Sequence, residues 1–218
     1  MKTKQAGFTL VEIAIVLVII GLLLGGILKG QEMIIQAKVK NSITDFSGVS
    51  AAFYGYQDRY RAIPGDDAAA TRWGAAVIPG NGDRVLVGVY NATDVTTPIA
   101  GTGETILWWD HLRRSGFVTG ASGGTKPNNS FNGILGVQQG DGAAVPGPIL
   151  PAAAGGFTNL FLCSTALPDK VAIALDVQMD DGNAAAGAVR AVLNTDLTVA
   201  ITAYAENGTN LYTLCRQF

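Results

Sequence analysis

The stretch that decides the fold is Gly7-Phe8-Thr9-Leu10-Val11-Glu12, followed by a nearly unbroken apolar run from Ile13 to Leu28. From Phe8 to Leu28, at 1.5 Å per residue, a helix would be roughly 31 Å long, close to the thickness of the hydrocarbon core of a bilayer. The sequence therefore predicts a membrane helix. Lys2 and Lys4 precede it, and the positive-inside rule places them in the cytoplasm and the bulk of the chain outside.

The order of the leader and the apolar run differs from that of a secretory signal peptide, which is apolar before its cleavage site and is removed. Here the plausible cleavage point follows Gly7, so only a short basic leader would be lost. Glu12 is unusual in an apolar segment, because a carboxylate at the centre of a bilayer costs about 2.5–3.5 kcal/mol. It either needs a partner or lies solvated at headgroup depth.

The segment Gly7–Glu12, with its basic leader and apolar helix, resembles the processing motif of type IV prepilins and type II secretion pseudopilins. The resemblance implies that a membrane-embedded prepilin peptidase cuts between Gly7 and Phe8 and methylates the new amino group of Phe8. It also implies that Glu12 pairs with the terminal amine of a neighbouring subunit during assembly. Many major pilins have a proline where this chain has Lys29, and glycines at 25, 26 and 30 replace it as helix-weakening residues.

Helical periodicity continues beyond the apolar run. Apolar residues recur at steps of three or four, which is the spacing of one helix face: Ile35, Val39, Ile43, Phe46, Val49, Phe53, Tyr56 and Tyr60. Ile63-Pro64-Gly65 is a stop signal. We therefore divide the chain into a leader (1–7), a membrane or filament-core half of the helix (8–30), an amphipathic half (31–62) and a globular domain (63–218).

The globular region predicts an α+β fold with an antiparallel sheet, because strands follow a long helix. Residues 64–103 and 119–156 are rich in turn-forming residues and predict loops, the first with a short strand at Arg84–Tyr90. Helices are expected at Glu104–Ser115, capped by Thr102, and at Pro168–Met179. In the first of them Ile106, Trp109 and Leu112 should face inward. Strands are expected at Phe131–Val137, Phe157–Cys163, Ala188–Leu193, Leu197–Ala205 and Asn210–Cys215.

The composition argues against nucleic-acid binding. The chain of 218 residues has a net charge of −2, and loss of Lys2 and Lys4 with the leader makes the mature form more acidic. No basic patch is present in the sequence.

The two cysteines, Cys163 and Cys215, lie in the part of the chain placed outside the cytoplasm, where disulfides persist. We predict a disulfide between them, and two buried thiols are the alternative. Two cysteines and a single histidine do not make a zinc site by themselves.

Two acidic turns are candidates for a calcium site: Asp66-Asp67 and Asn81-Gly82-Asp83. Calcium takes 6–8 oxygen ligands, and some major pseudopilins, which the chain resembles, hold a calcium ion in a loop. The alternative is solvated turns, and no other cofactor is expected. Asp180-Asp181-Gly182 is interpreted as a helix stop, and His111 as a structural histidine without a catalytic partner.

The sequence thus favours a structural, non-enzymatic subunit of a type IV pilus-like filament that polymerises with itself. By family analogy its partners are the prepilin peptidase, a membrane assembly platform and an ATPase. The precursor would reside in the bacterial inner membrane and the product in an extracellular pilus for adhesion, motility or DNA uptake. A periplasmic pseudopilus of type II secretion is the alternative, and a membrane-tethered enzyme or binding module is a second one.

Overall fold

The structure is a computed structural model that describes residues 9–92, 103–140, 157–197, 199 and 201–218. The chain divides into two units, of which the first ends at Lys38 and the second begins at Val39. None of the described residues of the first unit, 9–38, is buried, whereas the second unit has a packed core.

Helix α1 runs from Leu10 to Tyr60 and confirms the prediction of one long helix. Within the second unit its buried residues recur at helical spacing: Val39, Ser42, Phe46, Val49, Ala52, Phe53 and Tyr56. The helix ends at Tyr60, and the next residue, Arg61, has a left-handed φ of 56°, as is common for the residue that follows a helix. Pro64 prevents the helix from resuming.

A four-stranded antiparallel sheet forms the other half of the second unit, so the predicted α+β class is confirmed. The strands are β1 Leu135–Gln139, β2 Leu160–Pro168, β3 Val189–Leu193 and β4 Leu211–Gln217, in the order β1-β2-β4-β3. Helix α2, Glu104–Arg114, and helix α3, Asp169–Met179, lie where the sequence placed them. A short 3-10 helix spans Ala70–Trp73.

The main core lies between one face of the sheet and residues from all three helices. Trp108 of α2 is completely buried, and its ring stacks on Phe53 of α1 with 5.2 Å between the centroids. Leu162 and Leu214 contribute from the central strands. Ile106, Trp109 and Leu112, predicted to face inward, are buried as expected. The aromatic residues of α1 and α2 therefore serve mainly as packing.

Four strand predictions were wrong, wholly or in part. Residues 84–90 form no strand, because Val87 N donates to Glu104 Oε2 (2.9 Å) and Tyr90 N donates to the side chain of Gln138 (3.2 Å) instead of to a neighbouring strand. The strand expected at 131–137 begins only at Leu135, because Asn129 Oδ1 accepts hydrogen bonds from the N–H groups of residues 131 and 133.

The described residues of 197–205 also contain no strand. In this segment Tyr204 donates its hydroxyl to Asp176 and Ala205 N donates to Tyr212 Oη. Strand β4 pairs with β2 and β3 on its two sides, so no strand from 197–205 is needed beside it. The strand expected at 157–163 is shifted to Leu160–Pro168. Thr102, the expected cap of α2, lies outside the described residues, and Gly103 occupies the cap position with a φ of 82°.

Cys163 and Cys215 are bonded to each other, 52 residues apart in sequence. They are directly opposite partners in the antiparallel β2–β4 register. Because side chains alternate between the faces of a strand, the disulfide lies on the face opposite Leu162 and Leu214. There it packs in a small second cluster with Phe157, Phe161 and other apolar residues.

Removing this disulfide should lower the free energy of unfolding by about 2–4 kcal/mol, because the unfolded chain then gains the entropy of an open loop. The measurement is thermal or urea unfolding of the full chain in detergent, comparing wild type with Cys163→Ala/Cys215→Ala. A reducing agent should destabilise the wild type and leave the double variant unchanged. Equal stability of the oxidised and reduced wild type would contradict the prediction.

Candidate processing and assembly site

The amino-terminal end of α1 is capped by hydrogen bonds between Thr9 and Glu12. Glu12 Oε2 accepts hydrogen bonds from Thr9 N (2.8 Å) and from Thr9 Oγ1 (2.7 Å), and Glu12 N donates to Thr9 Oγ1 (3.3 Å). This reciprocal pattern is a capping box, in which two side chains satisfy N–H groups that have no partner within the helix. The carboxylate of Glu12 is therefore held by its own chain.

The apolar surface of α1 that follows this cap is exposed on all sides. Leu10, Leu17 and Leu22 are 87%, 65% and 73% exposed, and the described residues 9–29 are all exposed. The helix is long and apolar enough to cross a membrane, judged by length and composition alone. An apolar patch of this size on a soluble monomer is unusual and is typical of a membrane or protein contact surface.

A charged pair marks the end of the apolar run. Lys29 Nζ and Glu32 Oε2 form an exposed ion pair at 2.7 Å. Pairs at this spacing stabilise a helix only slightly. Gly7 and Phe8, between which cleavage is predicted, lie outside the described residues, so the cut itself stays a prediction.

Thr9 is the residue of this site to which the sequence analysis gave no role. Threonine three residues before glutamate, ahead of an apolar run, is the sequence signature of a capping box. That signal was available in Thr9-Leu10-Val11-Glu12. The expectation for Glu12 was either an intermolecular partner or a solvated position at headgroup depth.

The residues predicted to bind calcium are engaged within the chain. Asp66 Oδ1 and Oδ2 accept hydrogen bonds from Gly82 N (2.6 Å) and Arg84 N (2.7 Å). Asp83 Oδ2 accepts a hydrogen bond from Asn81 Nδ2, at 2.8 Å, and Asn81 Oδ1 accepts one from Asp83 N, at 3.0 Å.

The side chain of Asp67 contacts other residues than that of Asp66 does. Its carboxylate accepts hydrogen bonds from the Tyr56 hydroxyl (2.6 Å) and from both terminal nitrogens of Arg72 (2.6 and 3.2 Å). Burial raises the pKa of Asp67, but the hydrogen bonds from Arg72 and Tyr56 outweigh it and hold that pKa below its usual value. Calcium binding by Asp66, Asp67, Asn81 and Asp83 stays a prediction, and these internal hydrogen bonds speak against it.

Within the part of the chain that the structure describes, three carboxylates come close together at the end of α3, those of Asp176, Asp180 and Asp181. Two of them already hold backbone groups: Asp176 Oδ1 accepts from Gly182 N (3.3 Å) and Asp180 Oδ2 from Val189 N (2.8 Å). Helix α3 ends at Met179, in agreement with the interpretation of this segment as a helix stop.

His111 is fully buried in α2, and both of its ring nitrogens are in contact with backbone. Nδ1 accepts a hydrogen bond from Gly65 N (2.9 Å), so Nε2 carries the proton and donates to the carbonyl of Ile78 (3.0 Å). Burial lowers the pKa of His111. This neutral histidine joins α2 to the loop after α1, which is a structural role.

His111 should make folding sensitive to acid. Below about pH 6.5 the unfolded chain takes up a proton that the folded chain does not, so stability falls as pH falls, by up to about 1.4 kcal/mol per pH unit. A proton on Nδ1 would also face the N–H of Gly65. His111→Gln should be less stable at neutral pH by about 1–3 kcal/mol and should lack this pH dependence.

The check is urea unfolding of both chains between pH 5 and pH 8, with the difference between them as the readout. Burial raises the pKa of Asp66 and Glu104, which gives an opposite slope near the usual carboxyl range. Both carboxyl groups remain in His111→Gln. The difference in unfolding free energy between the two proteins therefore reports the contribution of His111 alone. Parallel curves for the two proteins would show that His111 does not titrate on unfolding.

A sequence-family profile described as the prokaryotic N-terminal methylation motif matches residues 2–28. No curated protein and no solved structure matches the chain. The matched segment contains the leader lysines, the Gly7-Phe8 pair, Glu12 and the exposed apolar run, so the resemblance drawn from these residues is confirmed. The chain carries the N-terminal methylation motif that is the signature of type IV pilin-like and pseudopilin precursors.

Proposed function

We propose that this chain is a structural subunit of a type IV pilus-like filament. It is made as a membrane-anchored precursor, cleaved between Gly7 and Phe8 by a prepilin peptidase, methylated at Phe8 and polymerised through α1. The observation that carries the proposal is the methylation motif at residues 2–28, which leads directly into a helix segment whose apolar side chains are exposed all round.

The exposed surface of residues 10–28 supports a subunit that moves between two environments. Removing apolar surface from water is favourable by about 25 cal/mol per Å². Exposure of the apolar side chains of this segment to water is therefore unfavourable. Lipid can cover it in the precursor, and the same segments of other copies can cover it in a filament. Because it is apolar all round rather than on one stripe, the segment can be surrounded by neighbours on every side.

Glu12 gives this assembly a register. It is the only acidic residue between Met1 and Leu28, and it lies two helical turns or less from the proposed new amino terminus. Two opposite charges in apolar surroundings are tolerated when they are paired and hydrogen-bonded. A neighbour related by a repeated, non-closing contact would present its amine in the same way at every step, which builds an open helical filament.

The main alternative is a pseudopilin of type II secretion, which shares the motif and the helix. It would use a peptidase, a membrane platform and an ATPase of the same kinds but would act in the periplasm. A membrane-tethered enzyme is less well supported. The chain's single histidine, His111, is buried with both ring nitrogens engaged, so it offers no free base.

Replacement of Glu12 tests the assembly role. Glu12→Ala should still insert and be cleaved, and filament yield should fall at least about tenfold, because the buried amine of the neighbour loses its partner. The matched control is Glu32→Ala, which removes a carboxylate from the same helix outside the apolar run. Normal filaments from Glu12→Ala would contradict the registering role.

Localisation and the mature terminus test the function itself. Electron microscopy of sheared surface material, with mass spectrometry of its main band, should find fibres whose amino-terminal peptide begins with methylated Phe8. The same peptide in periplasmic material alone would identify a pseudopilin. A protein that keeps Met1 and stays in the membrane fraction would overturn the proposal.

A further inference from the structure

The chain contains three asparagines that are followed directly by glycine: Asn81, Asn132 and Asn207. Such pairs react spontaneously in flexible chains. The glycine nitrogen loses its proton and attacks the asparagine Cγ, ammonia leaves, and water opens the resulting succinimide to aspartate or isoaspartate. Glycine favours the reaction because it has no Cβ to hinder the approach of its nitrogen. The folded state of each pair therefore decides its chemical lifetime.

In all three pairs the reacting nitrogen donates a hydrogen bond to a buried side-chain oxygen. The three bonds are Gly82 N to Asp66 Oδ1 (2.6 Å), Gly133 N to Asn129 Oδ1 (2.8 Å) and Gly208 N to Asp169 Oδ2 (2.6 Å). The acceptor residues are 2%, 6% and 3% exposed, respectively. The related pair Asp181-Gly182 follows the same pattern, with Gly182 N donating to buried Asp176 at 3.3 Å.

We infer that Asp66, Asn129 and Asp169 are positioning residues that suppress succinimide formation at the three Asn-Gly pairs. The attack requires the glycine nitrogen to lose its proton and to turn toward Cγ. An acceptor in a fixed position opposes this rotation of the glycine nitrogen. A carboxylate acceptor also opposes the loss of the proton, because the deprotonated nitrogen would be a second negative charge beside the carboxylate. Hydrogen bonds to charged acceptors are stronger than those to neutral ones, so the two aspartates should protect better than Asn129.

Asn207 is the pair in which this protection matters most. Its Oδ1 accepts hydrogen bonds from Thr209 N (3.0 Å), Thr209 Oγ1 (3.0 Å) and Asn210 N (2.9 Å). These donors would stabilise the negative charge that develops on this oxygen during the attack, as an oxyanion hole does. The carbonyl is thus prepared for reaction, and the hydrogen bond from Gly208 N to Asp169 is what holds the nucleophile back.

The other aspartate-protected pair lacks this activation. Asn81 Oδ1 accepts one hydrogen bond, from Asp83 N at 3.0 Å, and its Nδ2 is held by Asp83 Oδ2 at 2.8 Å. Loss of the acceptor should therefore accelerate the reaction more at Asn207 than at Asn81. The larger rate increase expected at Asn207 than at Asn81 is a consequence of the hydrogen bonds around each carboxamide. Solvent exposure alone would not predict it.

The experiment incubates the full chain in detergent at mildly alkaline pH and measures the one-dalton mass gain at each asparagine by peptide mapping. Asp169→Asn should raise the rate at Asn207 by about tenfold or more, because the charged acceptor is lost. Rates at Asn81 and Asn132 in the same molecules should stay at their wild-type values. Asp66→Asn should raise the rate at Asn81 alone, and by less.

Asp58→Asn is the matched control, since it neutralises an exposed carboxylate on α1 that holds no glycine nitrogen. It should leave all three rates unchanged. The urea-unfolded wild type supplies the unprotected rate at each site. The inference is overturned if folded wild type deamidates at Asn207 as fast as the unfolded chain. It is also overturned if the two aspartate variants raise all three rates together, which would show that only global folding protects, or if they raise none.

Discussion

The globular domain depends on buried side-chain oxygens that accept hydrogen bonds from the backbone N–H groups of its loops. Asp66 holds residues 82 and 84, Glu104 holds residues 81 and 87, and Asp169 holds residues 207 and 208. Each of these three residues is at least 97% buried. A loop that is not part of a sheet must still find acceptors for its buried N–H groups. In this domain side-chain oxygens accept these hydrogen bonds, as the carbonyl groups of a neighbouring strand do within a sheet.

This arrangement explains why acidic residues are common in the interior without a metal ion having to be invoked. A carboxylate that accepts two backbone hydrogen bonds is partly compensated for the loss of water. Burial still raises the pKa of Asp66, Glu104 and Asp176, so their compensation is incomplete. Tyr56 and Arg72 compensate Asp67 more fully, and Tyr56 thereby ties α1 to the loop that follows it.

The sequence was a good guide wherever a periodic pattern decided the structure. The apolar stripe of α1, the inward positions of α2 and the limits of α3 all follow from side chains that must face one core. It failed at residues 84–90 and 197–205, whose β-branched and aromatic residues are typical of strands. Their backbone groups are taken by Glu104, Gln138 and Tyr212, which lie 17, 48 and 7 residues away along the chain. No local pattern encodes such partners.

At the amino terminus a carboxylate again accepts a hydrogen bond from a backbone N–H group, and the proposed assembly would exchange this bond for a contact with a neighbouring subunit. In the single chain Glu12 accepts two hydrogen bonds from Thr9 and thereby helps to cap the helix. The proposed pairing with a neighbour's amine must displace or share these bonds, and a bond between two opposite charges in apolar surroundings is stronger than one between a carboxylate and a neutral donor in water. A carboxylate left without Thr9 in the bilayer would be costly, and one bound irreversibly could not be transferred. In the proposed assembly, the capping box would hold Glu12 firmly enough for its passage through the membrane and weakly enough for exchange with a charged partner.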